Sequence, residues 1–595
     1  MRIFVIRMKI LAKYILLMAA CLLIWQCKPE PQPQPDPEDP TDPDPAISFI
    51  GPSKIDLSGE DNSGSVVFIS AADWAASTDA SWVQFSPASG SGSSDKVTLA
   101  VTGDPNPSEE ERTATITITS GSLSKTVPIT QPGKEPEGPK STECELSSIM
   151  FLAASNASLK DNLTIIPRYI RGMKILFITF PEGADINNMV VFCNMSKKAT
   201  VRIGERQIAN GQTPLDFSKN EPLTIVAEDG EHSDTFTVIS RIGDPVLDNK
   251  IYNFMGAYNI PAVGLGITKN EQLAYVAGYG VAEIGADPVL CTPEHLFRLA
   301  SMSKSLTSIC ILRLCQEGKL SPDTKVFAPG GPLAEMFPGT HAAKVDDIRI
   351  RDLLSHRSGW TNYGIGDDPI FPYTSRFYSL HNLKERVATI VKNNSPSNTP
   401  GMYYSYSNLG FSILGLVIEQ VTGKSYETYL REVMAMAGAN DIWVSKTARS
   451  GKRANECVFY SQDSGYPYDN NMEIAAACGG VIASPADLAR VLTAIDYGKV
   501  VPDILGTGWL DAMYTNYTSS GKGGYGFGWW IGHNTMTTWQ AYHTGTLSGT
   551  KTLWVKGNNG VNGVILCNSN SGKSGFDTAM FVALDDAMTQ VKQAH

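Results

Sequence analysis

Two proline-rich breaks rule out a single core for this chain. Lys28 to Pro45 is dominated by Pro, Asp and Glu. Such a stretch cannot build a core, favours extended polyproline-like geometry and reads as a tether. A second break, Gln131-Pro132-Gly133-Lys134-Glu135-Pro136-Glu137-Gly138-Pro139-Lys140, separates two smaller segments. At 595 residues the chain is also too long for one core. The expected organisation is a leader (1–27), a tether (28–45), a first module (46–132), a linker (133–140), a second module (141–242) and a large C-terminal domain (247–595).

The leader has the pattern of an export signal. Arg2, Arg7, Lys9 and Lys13 precede an apolar run from Tyr14 to Trp25, shorter than the roughly 20 residues that span a bilayer. Cys21 follows small residues and Cys27 opens the polar stretch. Either fits the lipidated cysteine of a bacterial lipoprotein signal, which the pattern resembles. That resemblance implies a membrane partner through an N-terminal lipid, and an exported protein, an outer-membrane lipoprotein facing the periplasm or the cell surface. The net charge of −11, with no basic cluster beyond the leader, argues against nucleic acid as a partner.

The first module is strand-rich: Arg112 to Thr119 alternates threonines with Ala114, Ile116 and Ile118, the pattern of a half-buried strand. Its Trp74, Trp82, Pro87, Gly90, Arg112 and Gln131 fall as they do in the BACON module, which this segment resembles. The resemblance implies a β-sandwich with carbohydrate as a partner. Trp74 and Trp82 are then either sugar-stacking platforms or core residues. The second module has short apolar runs at Ile175 to Phe180, Met189 to Phe192 and Phe236 to Ile239. Turn residues separate these runs, which suggests a seven-strand Ig-like sandwich serving as a spacer. Few contacts are expected to cross from it to the C-terminal domain. Beyond the leader, eight cysteines are scattered without metal-ligand spacing, and the histidines form no metal motif. No metal or cofactor is expected. Cys144–Cys193 is a conceivable disulfide that sequence cannot establish.

Chemistry concentrates in three motifs of the C-terminal domain: Ser301-Met302-Ser303-Lys304, Tyr406-Ser407-Asn408 and His543-Thr544-Gly545. The S-x-x-K spacing alone is cheap, since it recurs at Ser93/Lys96, Ser122/Lys125, Ser519/Lys522 and Ser548/Lys551. Context separates them. Ser301 to Glu317 reads as a helix with Gly318 just past its end, and residues three apart on a helix share a face. Lys304 can therefore reach the Ser301 hydroxyl. Tyr406 precedes a second expected helix, Leu409 to Val421, and Ser484-Pro485-Ala486-Asp487 reads as a capped helix start.

The ordered set resembles the serine β-lactamase and penicillin-binding-protein family, in its branch of class C β-lactamases, D-aminopeptidases, carboxypeptidases and esterases. Leu353-Leu354-Ser355-His356-Arg357-Ser358-Gly359, Gly479-Gly480 and Tyr525-Gly526-Phe527-Gly528-Trp529-Trp530 extend the likeness. It implies a multidomain chain in which two all-β sandwiches precede an α/β (α+β) domain, an antiparallel sheet flanked by helices plus a helical lobe. It implies a serine hydrolase that acts through an acyl-enzyme on a peptide or other small-molecule substrate (a D-amino-acid or peptidoglycan-like peptide, an ester or a β-lactam). In that reading Ser301 is the nucleophile, and Lys304 and Tyr406 shuttle protons, with the acylation base open between them. Asn408 holds a substrate amide and partners Lys304. Thr544, Gly545 and Thr546 form the substrate strand, where the Thr546 N–H and that of Ser301 receive the oxyanion. His356 is expected to fix its loop. Lys304 acts as a base only when neutral, and His543, the fourth catalytic residue of that reading, would push that way when protonated. His543 stands where most transpeptidases carry Lys, which weakens any grip on a substrate carboxylate. The competing reading is a penicillin-recognising or glycan-binding surface protein with little turnover.

Overall fold

A computed structural model of the chain describes residues 47–57, 62–134, 139–285, 288–519 and 523–593. The leader, Cys21, Cys27 and the tether lie outside the described residues. Among the described residues, those before Ser141 and those from Ser141 onward form separate compact units.

In the first unit, a four-stranded and a five-stranded sheet enclose one core. The Arg112–Ser120 strand buries Ala114, Ile116 and Ile118 and turns its threonines outward, as its alternation predicts. Trp74 is a core residue, 4% exposed and edge-on to Phe68 at 4.9 Å. One face of the half-buried Trp82 is covered by the Arg112 guanidinium, 4.0 Å from the ring centroid. These contacts favour core roles for both rings.

The second unit begins with a β-rich module of eleven short strands among the described residues, rather than the expected seven. Its organising element is the Met173–Phe180 strand, paired in parallel with Ser233–Ile242. Leu176, Ile178 and Phe180 point into the module's own core. Ile175 and Phe177 point the other way, into a core shared with the following domain. A strand buried on both faces reads as a near-continuous apolar run, which is the pattern of Ile175 to Phe180, interrupted only by Thr179.

The domain that follows opens with a helix, Pro245–Tyr258, N-capped by Asp244 with Pro245 in the first turn. An eight-stranded antiparallel sheet comes next, in the order Val289–Leu290, Gln272–Glu283, Ala262–Lys269, Val561–Cys567, Thr550–Gly557, Trp539–Leu547, Trp530–Ile531, Gly524–Tyr525. Helices Pro245–Tyr258 and Phe576–Gln593 cover one face. The other face carries a helical lobe built around Ser303–Gln316, Asn408–Thr422 and Pro485–Thr493. The eight described cysteines, Cys144 and Cys193 included, are free thiols.

The expectation of few contacts between the second module and this domain is not met. Phe177 stacks on Tyr252 at 4.6 Å. Beside them the fully buried Asp248 carboxylate accepts from Arg241 Nε (2.8 Å) and Nη2 (2.5 Å), Thr179 Oγ1 (2.7 Å), Tyr275 Oη (2.6 Å) and Tyr279 Oη (2.7 Å). Thr179 and Arg241 belong to the module, the tyrosines to the sheet. The turn residues at the boundary mark a bend in the chain, not a gap in packing. Asp248→Ala, which leaves a half-buried guanidinium and three hydroxyls without their shared acceptor, should cost roughly 3 kcal/mol of stability in urea unfolding. A chain starting at Gly243, stripped of Phe177 and Arg241, should melt well below one starting at Ser141.

Candidate active site

The nucleophile motif is positioned by a turn, not by the helix itself. Ala300–Met302 forms a 3-10 turn, and the α-helix runs Ser303–Gln316 instead of starting at Ser301. Ala300, 1% exposed, adopts a left-handed φ of +48°, a conformation that costs an L-residue roughly 1–2 kcal/mol. The turn lifts Ser301 out of the helix ladder while keeping it within reach of Lys304 one turn on. At the far end Gly318 takes the expected left-handed position, φ +71°.

Lys304 is fully buried, and its amine has three acceptors. Nζ donates to Ser301 Oγ at 3.1 Å, Asn408 Oδ1 at 2.9 Å and the Cys478 carbonyl at 2.7 Å. Tyr406 presents its ring face to the same amine, 4.8 Å from Nζ to the centroid. Three elements distant in sequence thus converge on one nitrogen. Among the other S-x-x-K pairs, Ser93 and Lys96 lie on a strand and Ser548/Lys551 spans a hairpin turn, without that convergence.

The second motif is held from below by His356. Its Nδ1 accepts the Ser407 N–H at 3.0 Å, its carbonyl accepts the Ser405 N–H at 2.8 Å, and its ring packs against Tyr406 at 4.2 Å. Burial, then the charge of Lys304, holds its imidazole well below the usual pKa, so Nδ1 stays an acceptor. Ser407 caps the helix Asn408–Thr422 through the Gly410 N–H, which turns Tyr406 and Asn408 toward Lys304.

The third motif lies on Trp539–Leu547. The neighbouring strand Trp530–Ile531 pairs only with Ala541 and Tyr542, so the edge from His543 to Leu547 has no strand partner there among the described residues. Thr544 is half-buried and Thr546 exposed along this edge. Gly545 lies hard against the nucleophile turn: a Cβ there would sit 2.2 Å from the Leu299 carbonyl oxygen and 2.3 Å from Thr552 Oγ1. Thr552 Oγ1 itself donates to Leu299 O at 2.8 Å, tying sheet to turn.

His543 departs from expectation. It is 1% exposed, its Nδ1–H donates to the Thr544 carbonyl at 2.7 Å, and its Nε2 accepts from Tyr525 Oη at 2.8 Å. Burial, reinforced by the Lys304 charge, pushes its pKa down to about 3. A protonated His543 beside Lys304 is therefore not what the fold provides. Both ring nitrogens are engaged within the protein, and the ring stays neutral as a strut under the second and third motifs.

Three features escape a reading of the sequence. The Cys478 carbonyl belongs to backbone, which no motif spells. Tyr525 stands out in the sequence only as part of an aromatic strand. Asp368, 2% exposed, accepts from Asn408 Nδ2 at 2.8 Å; it sits in a loop with no regular pattern.

Two outcomes follow. Because the folded-state pKa of His543 lies below that of a free imidazole, the unfolded chain takes up the proton first as pH falls. The His543 contribution to stability is complete above about pH 6.5 and is lost progressively toward pH 3. His543→Gln should flatten the fall of unfolding free energy between about pH 6 and pH 4 by up to about 1.4 kcal/mol per pH unit, read from urea titrations at stepped pH. Gly545→Ala should push the strand off the nucleophile turn and lower kcat/KM by about a hundredfold in a folded protein, the scale of an ångström misplacement.

A family model described as beta-lactamase matches residues 247–587. A BACON model, described as a putative N-terminal binding domain, matches residues 72–132. Similar proteins include an unguisins hydrolase of Aspergillus campestris, 27% identical over 46% of this chain and 52% of its own length. A putative D-alanyl-D-alanine carboxypeptidase of Escherichia coli is 30% identical over 29% of this chain and 40% of its own length. The chain thus spans about half or less of these relatives. Among solved structures, a class C β-lactamase aligns over 58% of this chain and 94% of its own, at 18% identity and TM-score 0.48. A D-amino acid amidase from Ochrobactrum anthropi aligns over 59% and 99%, at 21% identity and TM-score 0.46. The chain belongs to the β-lactamase family.

Proposed function

We propose that this enzyme cleaves amide or ester bonds through an acyl-enzyme on Ser301, and that its substrates are D-amino-acid or related peptides and esters rather than β-lactams. The observation that carries the reading is the 3.1 Å contact between Lys304 Nζ and Ser301 Oγ, with the amine's other donors already placed. In this scheme the Lys304–Tyr406 pair enters the step short of one proton, as a neutral amine beside a phenol or an ammonium beside a phenolate; Ser301 Oγ attacks the substrate carbonyl carbon and its proton fills that place. The Ser301 and Thr546 N–H groups receive the oxyanion on the open strand edge. As the tetrahedral adduct collapses, the leaving amine or alkoxide takes that proton. Water then attacks the acyl carbonyl, Ser301 recovers a proton and the acid product leaves.

Substrate preference follows from the third motif. A permanent cation there would hold a carboxylate; here the position holds a buried neutral imidazole. Peptide amides and esters without that carboxylate requirement fit better. We read the leader as exporting the enzyme and anchoring it through Cys21 or Cys27, with the BACON module as a surface-binding element for carbohydrate.

A panel of D-amino-acid peptides, short acyl esters and a chromogenic cephalosporin on purified protein decides the matter. Ester or peptide kcat/KM should exceed that for the cephalosporin, and Ser301→Ala should lose activity toward all of them. A fluorophosphonate adduct should map to Ser301 by mass spectrometry. A parental enzyme that prefers the cephalosporin refutes the substrate reading, and labelling that survives Ser301→Ala refutes the mechanism.

A further inference from the structure

A primary amide is ambiguous toward a lysine. Flipped one way it offers an oxygen to the amine, flipped the other way an NH2 that repels it. Asn408 faces Lys304 with its oxygen, Oδ1 at 2.9 Å, and its Nδ2 donates to Asp368 Oδ2 at 2.8 Å. An ionised carboxylate only accepts hydrogen bonds, so Asp368 selects the amide orientation that Lys304 needs.

Asp368 is itself immobilised. Its Oδ1 accepts the Ile370 and Phe371 N–H groups at 2.8 and 3.2 Å, and its Oδ2 also accepts from Asn362 Nδ2 at 3.4 Å. The adjoining Asp367 anchors the rest of the loop through the Tyr373 and Thr374 N–H groups at 2.8 and 3.0 Å. Arg386 braces the loop from beneath, Nη1 donating to the Pro369 carbonyl at 2.7 Å. The loop reaches the nucleophile by a second route: Phe371 packs on Gly479, where a Cβ would lie 3.3 Å from its ring and 3.8 Å from the Ala300 carbonyl carbon. Nothing in this arrangement repeats the three motifs, and Asp368 acts on Lys304 only by way of Asn408.

We infer that Asp368 is a positioning residue for the acylation step. It fixes the Asn408 amide, the amide fixes the Lys304 amine on Ser301 Oγ, and the 366–374 loop is thereby coupled to the nucleophile. The inference rests on Ser301 being the acylated residue.

The test exploits the directionality of the pair. Asp368→Asn is isosteric and its side-chain oxygen can still accept from Ile370 and Phe371, but its NH2 now faces that of Asn408. Asn408→Asp sets two carboxylates face to face. Each single variant should acylate with a fluorophosphonate at least tenfold more slowly than the parent, with the loss in the maximal acylation rate rather than in half-saturation. The exchange variant Asp368→Asn/Asn408→Asp restores donor to acceptor, because the carboxylate introduced at position 408 can accept from both Lys304 and the new amide. It should acylate about tenfold faster than Asn408→Asp, which sets the same carboxylate beside Lys304 and so shares its pull toward the charged amine. A loop-anchoring role alone predicts no such recovery. Asp368→Asn acylating within twofold of the parent overturns the inference, as does an exchange variant no faster than Asn408→Asp. Should Asp368→Asn fail to fold, the comparison of Asn408→Asp with the exchange variant decides by itself. An unlabelled parent instead overturns the serine-hydrolase mechanism, which separates the two failures.

Discussion

The site is organised by the need to satisfy one buried amine. Removing a lysine amine from water costs several kcal/mol unless hydrogen bonds replace the lost solvent. Lys304 finds its acceptors on the nucleophile turn, at the start of the Asn408–Thr422 helix and on the Cys478 carbonyl. Each acceptor is then a demand on the fold. Thr307 Oγ1 ties the nucleophile helix to the Ala477 carbonyl at 2.7 Å, and Ser303 Oγ accepts the Val481 N–H at 3.2 Å. The backbone carrying Cys478 is thus stitched to the helix carrying Lys304 on both sides. His356 sets the height of the second motif, and Thr552 sets the sheet against the turn. The helical lobe is arranged around this amine, and the sheet meets it through the Thr552–Leu299 bond at the nucleophile turn.

The second module enters the architecture through a similar logic of shared burial. One strand supplies alternate side chains to two cores, and one carboxylate, Asp248, collects donors from both sides of the seam. A spacer would need neither. The module is part of the body that supports the sheet, and the Pro245–Tyr258 helix is its keystone: Tyr252 and Asp248 lie on the side that meets the module, while Met255 and Phe254 meet the C-terminal helix and the sheet.

What was legible in the sequence was what local chemistry spells. The helices Ser303–Gln316 and Asn408–Thr422 lie within two residues of their expected bounds, and the Ser484-Pro485 cap announced the start of Pro485–Thr493. Alternation announced the Arg112–Ser120 strand. The three motifs announced a convergence of Ser301, Lys304, Tyr406 and Asn408 that the geometry displays. The unread parts depend on partners far away in the chain. A carbonyl such as that of Cys478 has no residue signature. Asp368 lies forty residues from the Asn408 it orients. The charge state of His543 is set by burial and by Tyr525, and the same three letters on an exposed strand would carry a titratable cation. The seam was half-legible: Ile175 to Phe180 showed a strand, but its missing alternation, the sign of a second buried face, does not say what covers that face.

Gly545 shows what kind of information a motif can hold. A side chain of any size there collides with the backbone oxygen of Leu299 before it meets anything chemical. The last letter of His543-Thr544-Gly545 therefore encodes a distance, that between the substrate strand and the nucleophile turn, and takes no part in the reaction. Chains that keep this spacing are bound to spell glycine whatever they hydrolyse. The letter marks the frame of the cleft, while the histidine two places earlier braces that frame from beneath through Tyr525 and the Thr544 carbonyl.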